Sequence, residues 1–374
     1  MSLSNILDFN KKPIINSIET NDITFNINGP EFLSNNYPQY EFSEIGTDYG
    51  TAVTNKYLGG CLSSTTKKIY CAPMTATKIL EIDYFNKTTK LVGSEYVGSD
   101  KWRGCVESKT NLCIYFIPNN SNFVLKYNPL TGEEKLISVN TTMFSKWNGG
   151  ISTDDGFIIG IPFFSDDVIK IDTKTDTISY IPVPIAIAGV PIKYEGGVLG
   201  MNNKIYCSFR STIRQVLEID YQNNTCDLLP LFGFPAGFNS LAGGFLSKEG
   251  FVYLTPRSAS NIVKIDTSTT PPTQTLIPFS GLSNGFHGST LMPNGDALFC
   301  SYSAIGLETF NTSTDVGTVI TTPNFTDLTK YAGCVMGYDG NIYLVPFRRG
   351  KVGVVKTGTP VLPMWMLDAR FNKF

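Results

Sequence analysis

Proton chemistry in this chain can rest on one acid and one imidazole. His287 is the only histidine in 374 residues, and it stands at the same place in a recurring pattern as Glu195 and Asn148. A carboxylate and an imidazole brought together could act as an acid and base pair, and with the amide they offer oxygen and nitrogen ligands. At the equivalent places the pattern carries Leu58, Arg103, Ala242 and Ala332. A position that varies this widely within a repeat is where a symmetric scaffold would hold an asymmetric site. It is equally how the mouth of a solvated channel reads.

A second set is periodic. Lys56-Tyr57, Lys101-Trp102, Lys146-Trp147, Lys193-Tyr194 and Lys330-Tyr331 each place a cation beside an aromatic, with Phe286 at the matching aromatic place. Arg210, Arg214, Arg257, Arg348 and Arg349 fall in a second loop of the pattern, against Asp166 and Asp167. A ring of cations and aromatic faces suits a sugar, a phosphate or an acidic peptide. The binding residues expected on this basis are Tyr57, Lys101, Trp102, Arg103, Lys146, Trp147, Tyr194, Arg210, Phe286, Tyr331, Arg348 and Arg349. A feature repeated in five units is also what packing between units produces, each Lys stem lying over its aromatic neighbour.

The elements that must position these residues follow from the period. Gly59, Gly104, Gly149, Gly196, Gly243, Gly288 and Gly333 recur at intervals of 45, 45, 47, 47, 45 and 45 residues. Around each runs a unit of short alternating segments: an aromatic, a glycine pair or Gly-Cys, then Ile-Tyr and Pro, then Val-x-x-Ile-Asp. Alternation at period two excludes the helical repeats of similar length, and a period of about 40 to 50 residues rich in short strands is that of propeller blades. The units begin near residues 56, 101, 146, 193, 240, 285 and 330. The paired glycines let the innermost strands crowd near the axis, and Gly156, Asn203, Gly250, Gly295 and Gly340 supply the left-handed position of a tight hairpin. Cys61, Cys105 and Cys334 are expected at one repeat position and Cys71, Cys207 and Cys300 at another, as small core residues with no CxxC pair for zinc or redox work.

Residues 1–36 match no unit and read as a non-repeating N-terminal arm, either docked to a partner or folded back along the propeller's side; residues 37–374 read as the propeller. Two segments compete to close the ring, Tyr40–Thr47 and Leu362–Arg370. The N-terminal one is favoured, because joining both chain ends removes an exposed sheet edge.

The Gly-Gly, Asp-Gly-x-Ile-Tyr and Ile-Asp elements over residues 40–374 give a chain that resembles the seven-bladed β-propellers of the NHL, WD-repeat and streptogramin-lyase-like class. The resemblance implies the fold. With one histidine, a streptogramin-lyase-like histidine pair and any multi-histidine metal site are excluded within one chain. No GxSxG elbow, Walker sequence or HExxH occurs.

Composition narrows the partners. Lys plus Arg is 30 against 32 for Asp plus Glu, a balance that provides no general field for nucleic acid. No apolar run reaches the roughly 18 residues of a membrane span, and the N-terminus reads as having no signal peptide. Charged residues are only 17%, which suits a component of a large assembly and is equally normal for an all-β fold with many turns. The expectation is therefore an all-β, seven-bladed propeller of four-stranded antiparallel blades. Its expected role is non-enzymatic, interaction or structure: it binds a protein or glycan partner through its axial face, and docks through its arm into a large assembly such as a virion. The alternative is a small-molecule hydrolase or lyase using Glu195, His287 and Asn148 at the channel mouth. No cofactor and no metal are expected, and the location is intracellular (cytoplasmic) or within a particle.

Overall fold

The computed structural model describes residues 17–20, 23–26 and 40–357, except 211–212, 231–232, 235–239, 280–284, 321–324 and 328. The chain divides into two units, residues 1–39 and 40–374. In the first, Ser17–Thr20 and Ile23–Asn26 pair as an antiparallel hairpin. The rest of the expected arm lies outside the described residues, as does the competing closing segment Leu362–Arg370.

The second unit is seven four-stranded antiparallel sheets. Blade 4 is typical, with Tyr194–Leu199 innermost, then Ile205–Phe209, Gln215–Asp220 and Thr225–Pro230 outermost. The two inner strands are buried along their whole length, while the outermost alternates between covered and exposed residues. That gradient explains the composition: β-branched and aromatic residues fill the seams, and polar residues face water only at the rim. One seam, between blades 7 and 1, joins Tyr57, Ile69, Leu80, Val335, Val345 and Val354. No blade could bury this surface alone.

The N-terminal strand closes the ring. Glu41–Ile45 pairs antiparallel with Val352–Lys356 as the outermost strand of blade 7. Phe42 packs edge-on against Phe325 at 5.2 Å, and Tyr331 Oη donates to Glu44 Oε1 at 2.8 Å.

All seven innermost strands share one irregularity. In blade 4, Tyr194 pairs with Phe209 and Gly197 with Cys207, so Glu195 and Gly196 together oppose Ser208. The same bulge recurs in the other six blades. Its glycine is left-handed throughout, from φ +68° at Gly243 to +95° at Gly333. A Cβ on Gly149 would lie 3.2 Å from Gly196 Cα, and one on Gly104 only 3.0 Å from Gly149 Cα. Backbone of the next blade occupies the space a side chain would need.

The register corrects the cysteine alignment. Cys105 and Cys334 pair with Phe116 and Leu344, but Cys61 pairs with Tyr70, one residue further on; Gly60 is the true counterpart. Cys71 and Cys207 pair with Gly60 and Gly197, whereas Phe299, not Cys300, pairs with the equivalent Ser289. The bulge glycine sets the count, and thiols fill whichever neighbouring core slot has room.

Gly132→Ala, at φ +76° with nothing near the added methyl, is expected to cost about 1 kcal/mol from backbone strain. Gly104→Ala meets backbone as well and is expected to cost about 1–3 kcal/mol more, read from chemical denaturation midpoints. Equal costs would show that the axial ring has slack.

Candidate functional site at the axial mouth

A β-bulge inserts one residue and re-aims the side chain beside it. Here it turns one residue per blade toward the axis: Leu58, Arg103, Asn148, Glu195, Ala242, His287 and Ala332. A second set of seven stands just past the second strand of each blade: Met74, Asn119, Phe163, Arg210, Arg257, Tyr302 and Phe347. Their N–H groups donate to the carbonyls of Lys56, Lys101, Lys146, Lys193, Ser240, Gly285 and Lys330 at 2.7–3.0 Å. One repeated backbone bond thus holds the second ring above the first.

Glu195 is the centre of the two rings. His287 Nε2 and Asn148 Nδ2 donate to its Oε1 at 2.8 and 2.9 Å. Arg257 Nη1 and Arg210 Nε approach its Oε2 at 3.0 and 3.1 Å. These residues come from blades 3, 4, 5 and 6. Ala242 is the bulge residue of blade 5, between Glu195 and His287, and its small side chain leaves room for that pair to meet. Burial alone would raise the Glu195 pKa, but Arg210, Arg257 and His287 more than offset it and hold the carboxyl well below its ordinary value. Burial lowers the pKa of His287, Glu195 opposes this, and the two guanidiniums add to the lowering. At neutral pH the carboxylate is ionised and the imidazole neutral, its Nε2–H donating to Glu195 Oε1. Two guanidiniums then face one carboxylate, which leaves one positive charge over.

Aromatic rings back these cations. Arg210 and Arg103 lie 5.6 and 5.2 Å from the centroid of Phe163, and Arg257 lies 5.0 Å from that of Tyr302. Tyr302 also leans on His287 at 5.5 Å. Arg103 pairs with Asp100 at 2.7 Å. The remaining arc is apolar, Leu58, Met74, Ala332 and Phe347 packing together with Tyr302 against them. The side chains of Arg103, Arg210 and Arg257 keep 14, 23 and 17% exposure, whereas Glu195 and His287 keep 1%.

The expected residues divide accordingly. Glu195, His287, Asn148, Arg103 and Arg210 meet at the mouth. The basic and aromatic pairs do not face it. Tyr57, Trp102, Trp147, Tyr194, Phe286 and Tyr331 are buried, which leaves no ring face open to a sugar. Lys101 Nζ donates to the carbonyls of Met74, Ala76 and Gly98, and Lys146 Nζ to that of Met143. These ammonium groups bind the loops entering the blades, and burial pulls both down to about 8. Arg348 is exposed, and Arg349 is paired with Asp327 at 2.6 Å. The second ring was legible only in part: Phe163, Tyr302 and Phe347 lack a shared residue type, and only their constant place one residue after the second strand marks them. Among the described residues no group of three or more His, Cys, Asp or Glu could hold a metal, and no helix is long and apolar enough to cross a membrane.

No protein-family model and no curated protein matches the chain. Solved structures do. A catalytically inactive histidine-to-alanine variant of virginiamycin B lyase from Staphylococcus aureus with quinupristin is 16% identical at a TM-score of 0.66, over 85% of this chain and 99% of that one. Hydrazine synthase from Kuenenia stuttgartiensis is 14% identical at 0.64, over 85% and 99%. The extracellular domain of a one-component system from B. thetaiotaomicron is 11% identical at 0.61, over 84% and 40%. At such identities the likeness is of fold, a seven-bladed propeller.

Glu195→Gln would leave two guanidiniums without their counter-charge and is expected to lower folding stability by about 3–5 kcal/mol at pH 7. The Glu195 contribution is present above the unfolded carboxylate value of about 4.3 and is lost as pH falls through its depressed folded value. In the variant the difference from wild type should therefore shrink in acid; a constant difference across pH would contradict the charge assignment.

Proposed function

We propose that this propeller is a non-enzymatic binding module that receives an acidic group of a protein or glycan partner on its axial face. One observation carries the reading. The groups able to do proton chemistry, Glu195 and His287, hold each other in a buried network, while the guanidiniums around them are partly open and carry the excess charge. Arg103 and the exposed Arg348 extend the cationic face. Low overall charge and a non-repeating arm support a place in a larger assembly such as a virion, with the arm docking to it. Free thiols at all eight cysteines support an intracellular or particle-bound location.

A second reading, a small-molecule lyase or hydrolase, is favoured by the His287–Glu195 hydrogen bond at the mouth of a fold shared with virginiamycin B lyase, for which a histidine-to-alanine variant is catalytically inactive.

A panel of acidic peptides and of sulfated and carboxylated glycans separates the two. Binding of acidic members is expected, weakened roughly tenfold by Arg103→Gln with Arg348→Glu, two partly exposed changes that spare the core. Turnover of any member, abolished in His287→Gln, would establish the second reading instead. Removing residues 1–36 is expected to leave axial binding intact and to abolish co-assembly; a truncated chain that keeps every partner would sink the docking role of the arm.

A further inference from the structure

Arg210 and Arg257 are set up as a pair. Each places a donor within 3.1 Å of one and the same oxygen, Glu195 Oε2, although like charges so close repel. A guanidinium has five N–H donors, and the contact to Glu195 occupies Nε of Arg210 and Nη1 of Arg257. The remaining edges are available to a second oxyanion, and stacking on Phe163 and Tyr302 holds both guanidinium planes in place.

His287 touches the same carboxylate from the other side. The charged and titratable groups around it come from every element packed there: Glu195 from blade 4, Arg210 from the loop after its second strand, Arg257 from the corresponding loop of blade 5, and Tyr302 from that of blade 6. When the imidazole gains a proton, its bond to Glu195 survives and the cluster passes from one net positive charge to two.

We propose that Arg210 and Arg257 form a site for a small oxyanion, a carboxylate or a sulfate-like group, whose affinity rises when His287 is protonated. The inference rests on the axial face being the binding face and names the group recognised there. The linkage is reciprocal: an anion that binds better to the protonated form must raise the His287 pKa.

Sulfate is the probe, since its charge is constant from pH 8 to 4.5, and acetate is the arm that tests a planar carboxylate. Calorimetry on the full chain should show sulfate binding tighten by about five- to tenfold on going from pH 8 to 4.5. The C–H proton signals of the sole histidine should report a pKa raised by sulfate. Arg257→Gln should lose at least about tenfold of sulfate affinity, and His287→Gln should flatten the pH dependence. Should His287→Gln not fold, the wild-type titration with and without sulfate decides the matter alone. An affinity independent of pH, or a His287 pKa unmoved by sulfate, overturns the proton linkage. Failure of both sulfate and acetate to bind, with acidic partners still captured through Arg103 and Arg348, overturns the site while leaving the binding role standing; loss of that capture as well overturns both.

Discussion

The molecule depends on seven bulge glycines that hold a left-handed backbone where the innermost strands converge on the axis. A Cβ added at Gly104, Gly149 or Gly333 would lie 3.0–3.2 Å from the Cα of the next blade's bulge glycine, and all seven of these glycines are left-handed. Any L-residue at the seven positions would meet strain, and at those three the neighbouring backbone as well. The constraint does more than permit closure. A left-handed glycine inside a bulge turns the preceding residue away from the sheet, so the feature that lets the ring close also delivers seven side chains to its centre.

Those side chains are where the symmetry is abandoned. In five blades a lysine ties down the loop ahead of the first strand, and the strands behind it differ little. The bulge residues range from alanine to arginine, and their contacts make an unequal mouth: a charged arc from blades 2 to 6 and an apolar arc from blades 7 and 1. Two small residues matter as much as the large ones. Ala242 gives Glu195 and His287 room to meet across an intervening blade, and Ala332 lets Phe347 and Leu58 close the other side. A buried carboxylate with two cations is costly to desolvate, and its hydrogen bonds to Asn148 and His287 satisfy the oxygens that charge alone would not.

Architecture was legible in the sequence because it is periodic. The glycine intervals gave the blade number, and the alternation of Ile-Tyr and Val-x-x-Ile-Asp marked the second and third strands. The closing strand was legible from its offset before Lys56. The bulge residues were legible as a variable position, but their mutual contacts were not: nothing in the local sequence says that residues 92 positions apart are hydrogen-bonded. The lysine and aromatic pairs admitted two readings, a ligand surface and packing between units, and local sequence could not separate them. A cation next to an aromatic looks like a ligand surface, yet a lysine stem can thread a seam and spend its ammonium on backbone carbonyls. The cysteine register slipped because glycine, serine and cysteine all occur at the position after the bulge glycine, so only strand pairing distinguishes it from its neighbour.

Closure by Glu41–Ile45 has a consequence for how the molecule is made. These residues leave the ribosome before any blade exists, and their partner strand, Val352–Lys356, emerges after every other described strand of the ring. Until then blade 7 has an open edge and the seam between blades 7 and 1 cannot be sealed. The first strand made is therefore the last to find its place, and cooperative stability arrives only when all seven blades are present.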